Sequence, residues 1–189
     1  MGWKVTLGGG LRMSNMVLET DRLGLRELAT SDLDFVAEML GDADVMRYYP
    51  KCLDRASSLA WIERQQMRYA RDGHGLWLVL ERDTGQPIGQ VGLVMQEVTG
   101  MPRPRYAEVG YLLHRPFWHR GFATEAAAAT KDYALRERGY DQVISLIRSV
   151  NEPSQAVARR LGMEIIGETK FANIPHLVFG SSLTLPKAP

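Results

Sequence analysis

The sequence predicts one α/β domain built on a mixed sheet, and three observations point there. Apolar spacing switches between alternating and helical in the order β-α-α-β-β-β-α-β-α-β-β. No repeat, linker or low-complexity tract divides the chain. At 189 residues it has room for one full-sized domain, and two would be cramped. The domain is expected over residues 17–185. Residues 1–16, with Gly8-Gly9-Gly10, Met13 and Met16, are expected to be a flexible leader.

The elements follow in order. "VLETDRLGLREL" (17–28) alternates and reads as a strand. Thr30 or Ser31 then caps a helix with Asp32 and Asp34 in its first turn and an apolar stripe at Leu33, Val36, Ala37 and Leu40. "DADVMRYYP" is a loop or short helix ended by Pro50, and a second helix over 54–72 sets Leu59, Ile62, Gln66 and Tyr69 near one face. The period then becomes two: "LWLVLERDTGQPIGQVGLVMQEV" is a hairpin turning at Asp83-Thr84-Gly85. "YAEVGYLLH" is the next strand. "ATEAAAATKDYALRERG" is a strong helix stopped by Gly139. "DQVISLIRSV" is a strand and "EPSQAVARRLG" a helix with Pro153 in its first turn. "EIIGETKF" and "PHLVFGSSL" close the chain as a hairpin. Met39, Met46, Met67 and Met95 read as core filler.

Composition narrows the function. A net charge of +1 argues against broad neutralisation of nucleic-acid phosphates. Cys52 is alone, so no intrachain disulfide can form, which fits a reducing cytoplasm. No stretch reaches the ~18 apolar residues of a membrane span, and the N-terminus lacks the apolar core of a signal peptide. The four histidines show no metal-ligand spacing, and there is no G-x-S-x-G elbow.

Three stretches carry candidate chemistry. In "PFWHRGFATE" a strand ends, a short turn follows and a helix begins at Gly121. Such a turn offers free backbone N–H groups to an anion, with Gly121 allowing close approach, Ala123 keeping the first turn narrow and Arg120 adding charge. The plainer reading is a glycine-containing connection with no ligand. Glu108 lies inside an apolar strand, where an ionised carboxylate costs several kcal/mol unless it is partnered or reached by water. It is either a general base with a raised pKa or a glutamate facing solvent. Asn151 falls at the start of a helix, with Ser154 three residues on. It is either a plain cap or a clamp for an amide-bearing ligand, and Ser154 is a proton donor in the second case.

Taken together these segments resemble the GNAT acyltransferase superfamily, in its RimJ/RimL-like branch of ribosomal-protein N-terminal acetyltransferases. "LETDRLGLREL", "DADVMRYY", "AEVGYLLHRPFWHRGFATEA" and "NEPSQAVARRLGM" match that branch in order and spacing, over nearly the whole chain. The family pattern Q/R-x-x-G-x-G/A appears as Trp118-His119-Arg120-Gly121-Phe122-Ala123, with Trp118 in place of Gln or Arg. The resemblance implies a mostly antiparallel central sheet, splayed and flanked by helices. It implies that the backbone from Trp118 through Thr124 holds the pyrophosphate of coenzyme A. It also implies that the pantetheine arm bonds to strand backbone near Leu112 and Leu113 and touches Asn151, and that Glu108 is the base. Many members carry a tyrosine acid in the following helix; here Ala158 stands there, and Ser154 is the nearest substitute. The expected activity is transfer of acetyl from acetyl-CoA to a primary amine, on a protein N-terminus or a small molecule, by a monomer or homodimer using no metal. The alternative is an acetyl-CoA-binding sensor or interaction protein of the same fold without catalysis.

Overall fold

A computed structural model of the chain describes residues 15–182. Two short strands come first, β1 Met16–Glu19 and β2 Leu23–Arg26, followed by helices α1 Leu33–Gly41 and α2 Arg55–Asp72. Three longer strands are β3 Leu76–Glu81, β4 Pro87–Glu97 and β5 Arg105–Leu113. Then come α3 Phe122–Asp132, β6 Gln142–Arg148, α4 Glu152–Arg160, and the hairpin β7 Glu164–Phe171 with β8 Ile174–Ser182. All eight strands join one sheet in the order β1-β2-β3-β4-β5-β6-β8-β7. Every neighbouring pair is antiparallel except β5 and β6, which run parallel. The mixed, mostly antiparallel sheet expected from the sequence is therefore present.

Alternation along the strands divides the core between the two faces. Trp77 and Val79 of β3 join Phe122, Ala126 and Ala127 of α3 and Val157 and Ala158 of α4. Leu78 and Leu80, one residue out of step, join Val36, Met39 and Leu40 of α1 and Ile62 of α2. Helices α1 and α2 therefore cover one face, and α3 and α4 the other.

Several expectations need correction. The strand read over 17–28 is two strands, because Thr20 turns the chain: its N–H donates to the Leu23 carbonyl at 2.9 Å and its hydroxyl accepts from the Leu23 N–H at 3.0 Å. Met16, assigned to the leader, opens β1, while residues 1–14 and 183–185 lie outside the described residues. Neither Thr30 nor Ser31 caps the first helix with its side chain. A 3-10 turn over Thr30–Asp32 leads into it, and Asp32 accepts from the Ala29 N–H at 2.8 Å while Arg26 grips it from the sheet.

The buried stripe of α2 is Ser58, Ile62, Gln65 and Tyr69, one residue off the expected Leu59 and Gln66. Gln65 is drawn inward because its side-chain oxygen accepts the Leu76 N–H, and the Tyr69 hydroxyl donates to the Leu76 carbonyl. Met67 is 62% exposed and fills no core. The central helix widens into a π-helical turn over Tyr133–Glu137, closed by the Arg138 N–H on the Tyr133 carbonyl at 3.0 Å. That wider turn buries Ala134 and Leu135 together and leaves Tyr133 edge-on to Trp77.

Candidate active site

The parallel contact between β5 and β6 is short. Only Ala107 with Val143 and Glu108 with Ile144 are in register. The Ser145 hydroxyl then donates to the Val109 carbonyl at 2.7 Å, and beyond it the strands part. β4 follows β5 all the way to Leu113, and β8 follows β6 to Arg148. The opening is thus a fork inside a continuous sheet.

Strand geometry says which groups face the gap. Since the Val109 carbonyl points toward β6, the backbone groups of Tyr111 and Leu113 do too, and those of Leu112 point toward β4. The Leu113 carbonyl already accepts the Trp118 indole N–H at 2.7 Å. Of the two residues expected to offer backbone to a ligand, only Leu113 lies on the open edge. Tyr111, not among the residues the sequence points to, shares it.

Glu108 sits at the crotch of the fork, on the face covered by α1 and α2, as its cross-strand partner Val94 does. Among the described residues its only hydrogen bond comes from the Leu146 N–H, at 3.3 Å. Burial dominates its acidity and pushes its pKa up to about 7, against the smaller opposing pulls of that amide and of the Arg68 charge. A carboxyl poised there exchanges a proton near neutral pH, as a general base must. Tyr49, from the loop between α1 and α2, has its phenol pushed up to about 12 by burial and by the Glu108 charge. Tyr49 as a whole keeps 37% of its surface open, and the Glu108 charge acts on its phenol. Arg148 closes the same side: it donates to the Tyr48 carbonyl at 3.3 Å, and its buried Nε has no partner among the described residues. No sequence signal flagged Tyr49, Arg68 or Arg148, because each reaches the fork from a separate element.

The turn after β5 is built as the sequence suggested. Residues Arg115–Phe117 form a 3-10 turn, His119 and Gly121 take positive φ (59° and 81°), and α3 begins at Phe122. Among the described residues the N–H groups of His119, Arg120 and Gly121 donate to no backbone carbonyl. Those of Phe122, Ala123 and Thr124 occupy the first helical turn, where no intrahelical acceptor exists. A cradle of consecutive donors results. Side chains brace it from behind. Phe122 is buried, with the Arg22 and Arg120 guanidinium groups 4.6 and 4.5 Å from its ring centre. Arg120 is tied to Glu81 at 2.6 Å and Arg22 to Glu125 at 2.5 Å. The Arg22 Nη1 donates to the Arg120 carbonyl at 3.0 Å.

Across the fork, Asn151 caps α4 by accepting the Ser154 N–H on its side-chain oxygen at 3.2 Å. The cap reading of Asn151 therefore holds, and its amide NH₂ is left over for another acceptor. The Ser154 hydroxyl makes no hydrogen bond among the described residues. Its carbonyl accepts the Tyr111 hydroxyl at 2.7 Å, which brings a tyrosine from β5 against the helix where Ala158 carries none. Among the described residues no group of three or more His, Cys, Asp or Glu is arranged to hold a metal, and no helix is long and apolar enough to cross a membrane.

Comparison with known proteins bears on this arrangement. A family model described as acetyltransferase (GNAT) domain matches residues 22–164. The protein YkkB of Bacillus subtilis (strain 168) is 32% identical over 163 residues, covering 86% of this chain and 93% of its own. An acetyltransferase from Agrobacterium tumefaciens str. C58 superposes with a TM-score of 0.74 at 26% identity, over 93% of this chain and 99% of that one. RimL, described as a ribosomal L7/L12 α-N-protein acetyltransferase in complex with coenzyme A, superposes with a TM-score of 0.70. At 14% identity over 89% of this chain and 98% of its own, it is a likeness of fold alone.

Proposed function

The chain belongs to the GNAT acetyltransferase family, and on that premise we propose that it moves an acetyl group from acetyl-CoA to a primary amine by direct attack in a ternary complex. The observation that carries the proposal is Glu108, half-dry at the fork and held near pH 7. The solved RimL structure holds coenzyme A, and the free amides of residues 119–124 suit its pyrophosphate here. The gap between β5 and β6 then takes the pantetheine arm, with backbone of Tyr111 and Leu113 on one side and the spare Asn151 amide on the other.

Each residue has a defined task. A protonated amine has no lone pair, so Glu108 takes its proton, directly or through water. The neutral nitrogen attacks the thioester carbonyl, whose oxygen is stabilised by backbone N–H groups at the fork. The adduct nitrogen then gives its second proton to water, and collapse forms the amide and expels the thiolate, which Ser154 or solvent protonates. Phosphate-loop side chains do not take part. Trp118, Phe122 and Arg120 hold the shape of the turn.

Thiol release from acetyl-CoA tests this, run against peptide N-termini, polyamines, aminoglycosides and amino acids. Wild type and Glu108→Gln are compared, with calorimetric binding of acetyl-CoA to both. Release on one amine class, lost in the variant while acetyl-CoA still binds, supports the enzyme. Tight acetyl-CoA binding with no release on any amine favours a sensor of the same fold.

A further inference from the structure

A groove of about 660 Å³ opens beside Glu108, on the side of the sheet covered by α2. Its wall is one face of α2: Arg64, Met67, Arg68 and Arg71. Its floor is the end of β4, Met95 to Glu97, with Arg105 of β5 beyond. The floor starts one residue past Val94, the cross-strand partner of Glu108. Arg68 belongs to both places, because it lines the groove and its charge acts on Glu108. By register the groove lies next to Glu108, on the closed side of the fork.

Two independent features say what it would hold. The first is charge. Four arginines line it against one glutamate, Glu97. Asp72 pairs with Arg71 at 2.6 Å and lies 3.8 Å from Arg105. Arg64 and Arg68 have no carboxylate within salt-bridge distance among the described residues. Arg64 instead lies over the Trp61 ring at 5.5 Å, and Arg68 donates to the Gln65 side chain. The second is backbone. β3 begins at Leu76, opposite Gly92, so β4 runs on to Glu97 with no strand beside it on that edge among the described residues. The Leu93 N–H and carbonyl are already used, by the Gly75 carbonyl and the His74 ring. The same edge continues at Met95 and Glu97, on the groove floor. An open strand edge accepts an extended peptide through main-chain hydrogen bonds.

We propose that this groove binds the acceptor itself, an extended acidic peptide segment whose N-terminal amine reaches Glu108 while its Asp or Glu side chains face Arg64, Arg68 and Arg71. The inference rests on the acetyltransferase reading above and gives it a substrate class. A positive wall repels polyamines and other multiply charged cations. It also disfavours the ammonium form of the incoming amine, so that Glu108 has an easier proton to remove.

The test uses the full chain and three peptides with the same N-terminal Ser, followed by Asp/Glu, Gly or Lys residues. Thiol release from acetyl-CoA gives kcat/KM for each. Fluorescence anisotropy of the same peptides gives binding without turnover. The acidic peptide should lead the lysine peptide by about tenfold at low salt, and the lead should shrink as salt rises. Arg64→Glu combined with Arg71→Glu should cut the acidic peptide about tenfold and raise the lysine peptide, a gain that misfolding cannot produce. Equal or better use of the lysine peptide, or acidic-peptide binding indifferent to salt and to the charge reversal, overturns the inference. Failure of the acetyltransferase reading shows separately, as no release on any amine, and the anisotropy arm still decides the groove.

Discussion

His74 is buried and Glu108 half-buried against the central strands, and they are housed in opposite ways. His74 is 1% exposed, with Nδ1 3.1 Å from the Leu93 carbonyl and Nε2 2.7 Å from the Tyr140 hydroxyl. A carbonyl only accepts, so Nδ1 carries the proton and Nε2 accepts from Tyr140. Both ring nitrogens of the neutral form are satisfied. Glu108 takes one N–H at 3.3 Å. Burial pushes both groups toward neutrality, lowering the His74 pKa and raising that of Glu108 to about 7. The His74 arrangement is complete without a ligand, whereas Glu108 still lacks partners and faces an opening. A buried polar group that is fully satisfied serves the fold, and one left incomplete at a fork is poised for chemistry.

The sharpest way to break that contrast is to replace each group. Glu108→Gln keeps the size and the Leu146 bond but cannot take a proton, so kcat should fall about 10²- to 10⁴-fold. Unchanged turnover in thiol release across the pH range would remove Glu108 from the chemistry. In the wild type, kcat/KM should rise with pH and level off above about 7, where Glu108 is ionised. The glutamine variant should lose that rise.

Stability should move the other way. The folded pKa of Glu108, about 7, lies above its ordinary 4.5. Between these values the unfolded chain gives up its proton first, so stability is lost as pH rises through that range and then stays level. Glu108→Gln should therefore be the more stable protein at pH 8 by roughly 3 kcal/mol, with the gap closing below pH 4.5. Chemical denaturation at both pH values reads this directly. A variant that is less stable at pH 8 would mean that the carboxylate is better partnered than its surroundings indicate.

His74→Phe should do the reverse. It strands the Leu93 carbonyl and the Tyr140 hydroxyl, at a cost of about 1–3 kcal/mol, while the folded fraction keeps its turnover. The smallest effect is the pH slope from His74 itself. Its pKa is lowered from the ordinary 6.5, so below that pH the unfolded chain binds a proton first. Stability should fall on acidification by up to about 1.4 kcal/mol per pH unit, and His74→Phe should lack that contribution. Thermal unfolding between neutral and mildly acidic pH measures it.

How far the sequence alone reached can be read from the same residues. Asn151 as a helix cap, Gly121 before a helix and the closing hairpin were all legible, because capping and period are settled within a few residues. The turn at Thr20 was not, since one alternating run covers both strands. Periodicity alone points to Gln66 and not Gln65, because the inward turn of Gln65 depends on the Leu76 N–H, contributed by another element. Met67 was misplaced because nothing local says that β4 outruns β3 and leaves that face of α2 uncovered.

Glu108 marks the boundary between the two kinds of information. An acid inside an apolar strand was visible in the sequence, and whether it faced water was undecided. The sequence by itself determined the order of elements, the anion-ready turn at 119–124 and the family pattern around it. The resemblance implied a splayed sheet; only the tertiary structure decided that β5 and β6 share two residue pairs before they part, that Glu108 stands at that point, and that Arg68 and Tyr49 crowd it. Periodicity and capping are nearest-neighbour effects carried by the chain. Desolvation is a sum over every atom that the fold brings near, and those atoms come from residues far apart in the chain.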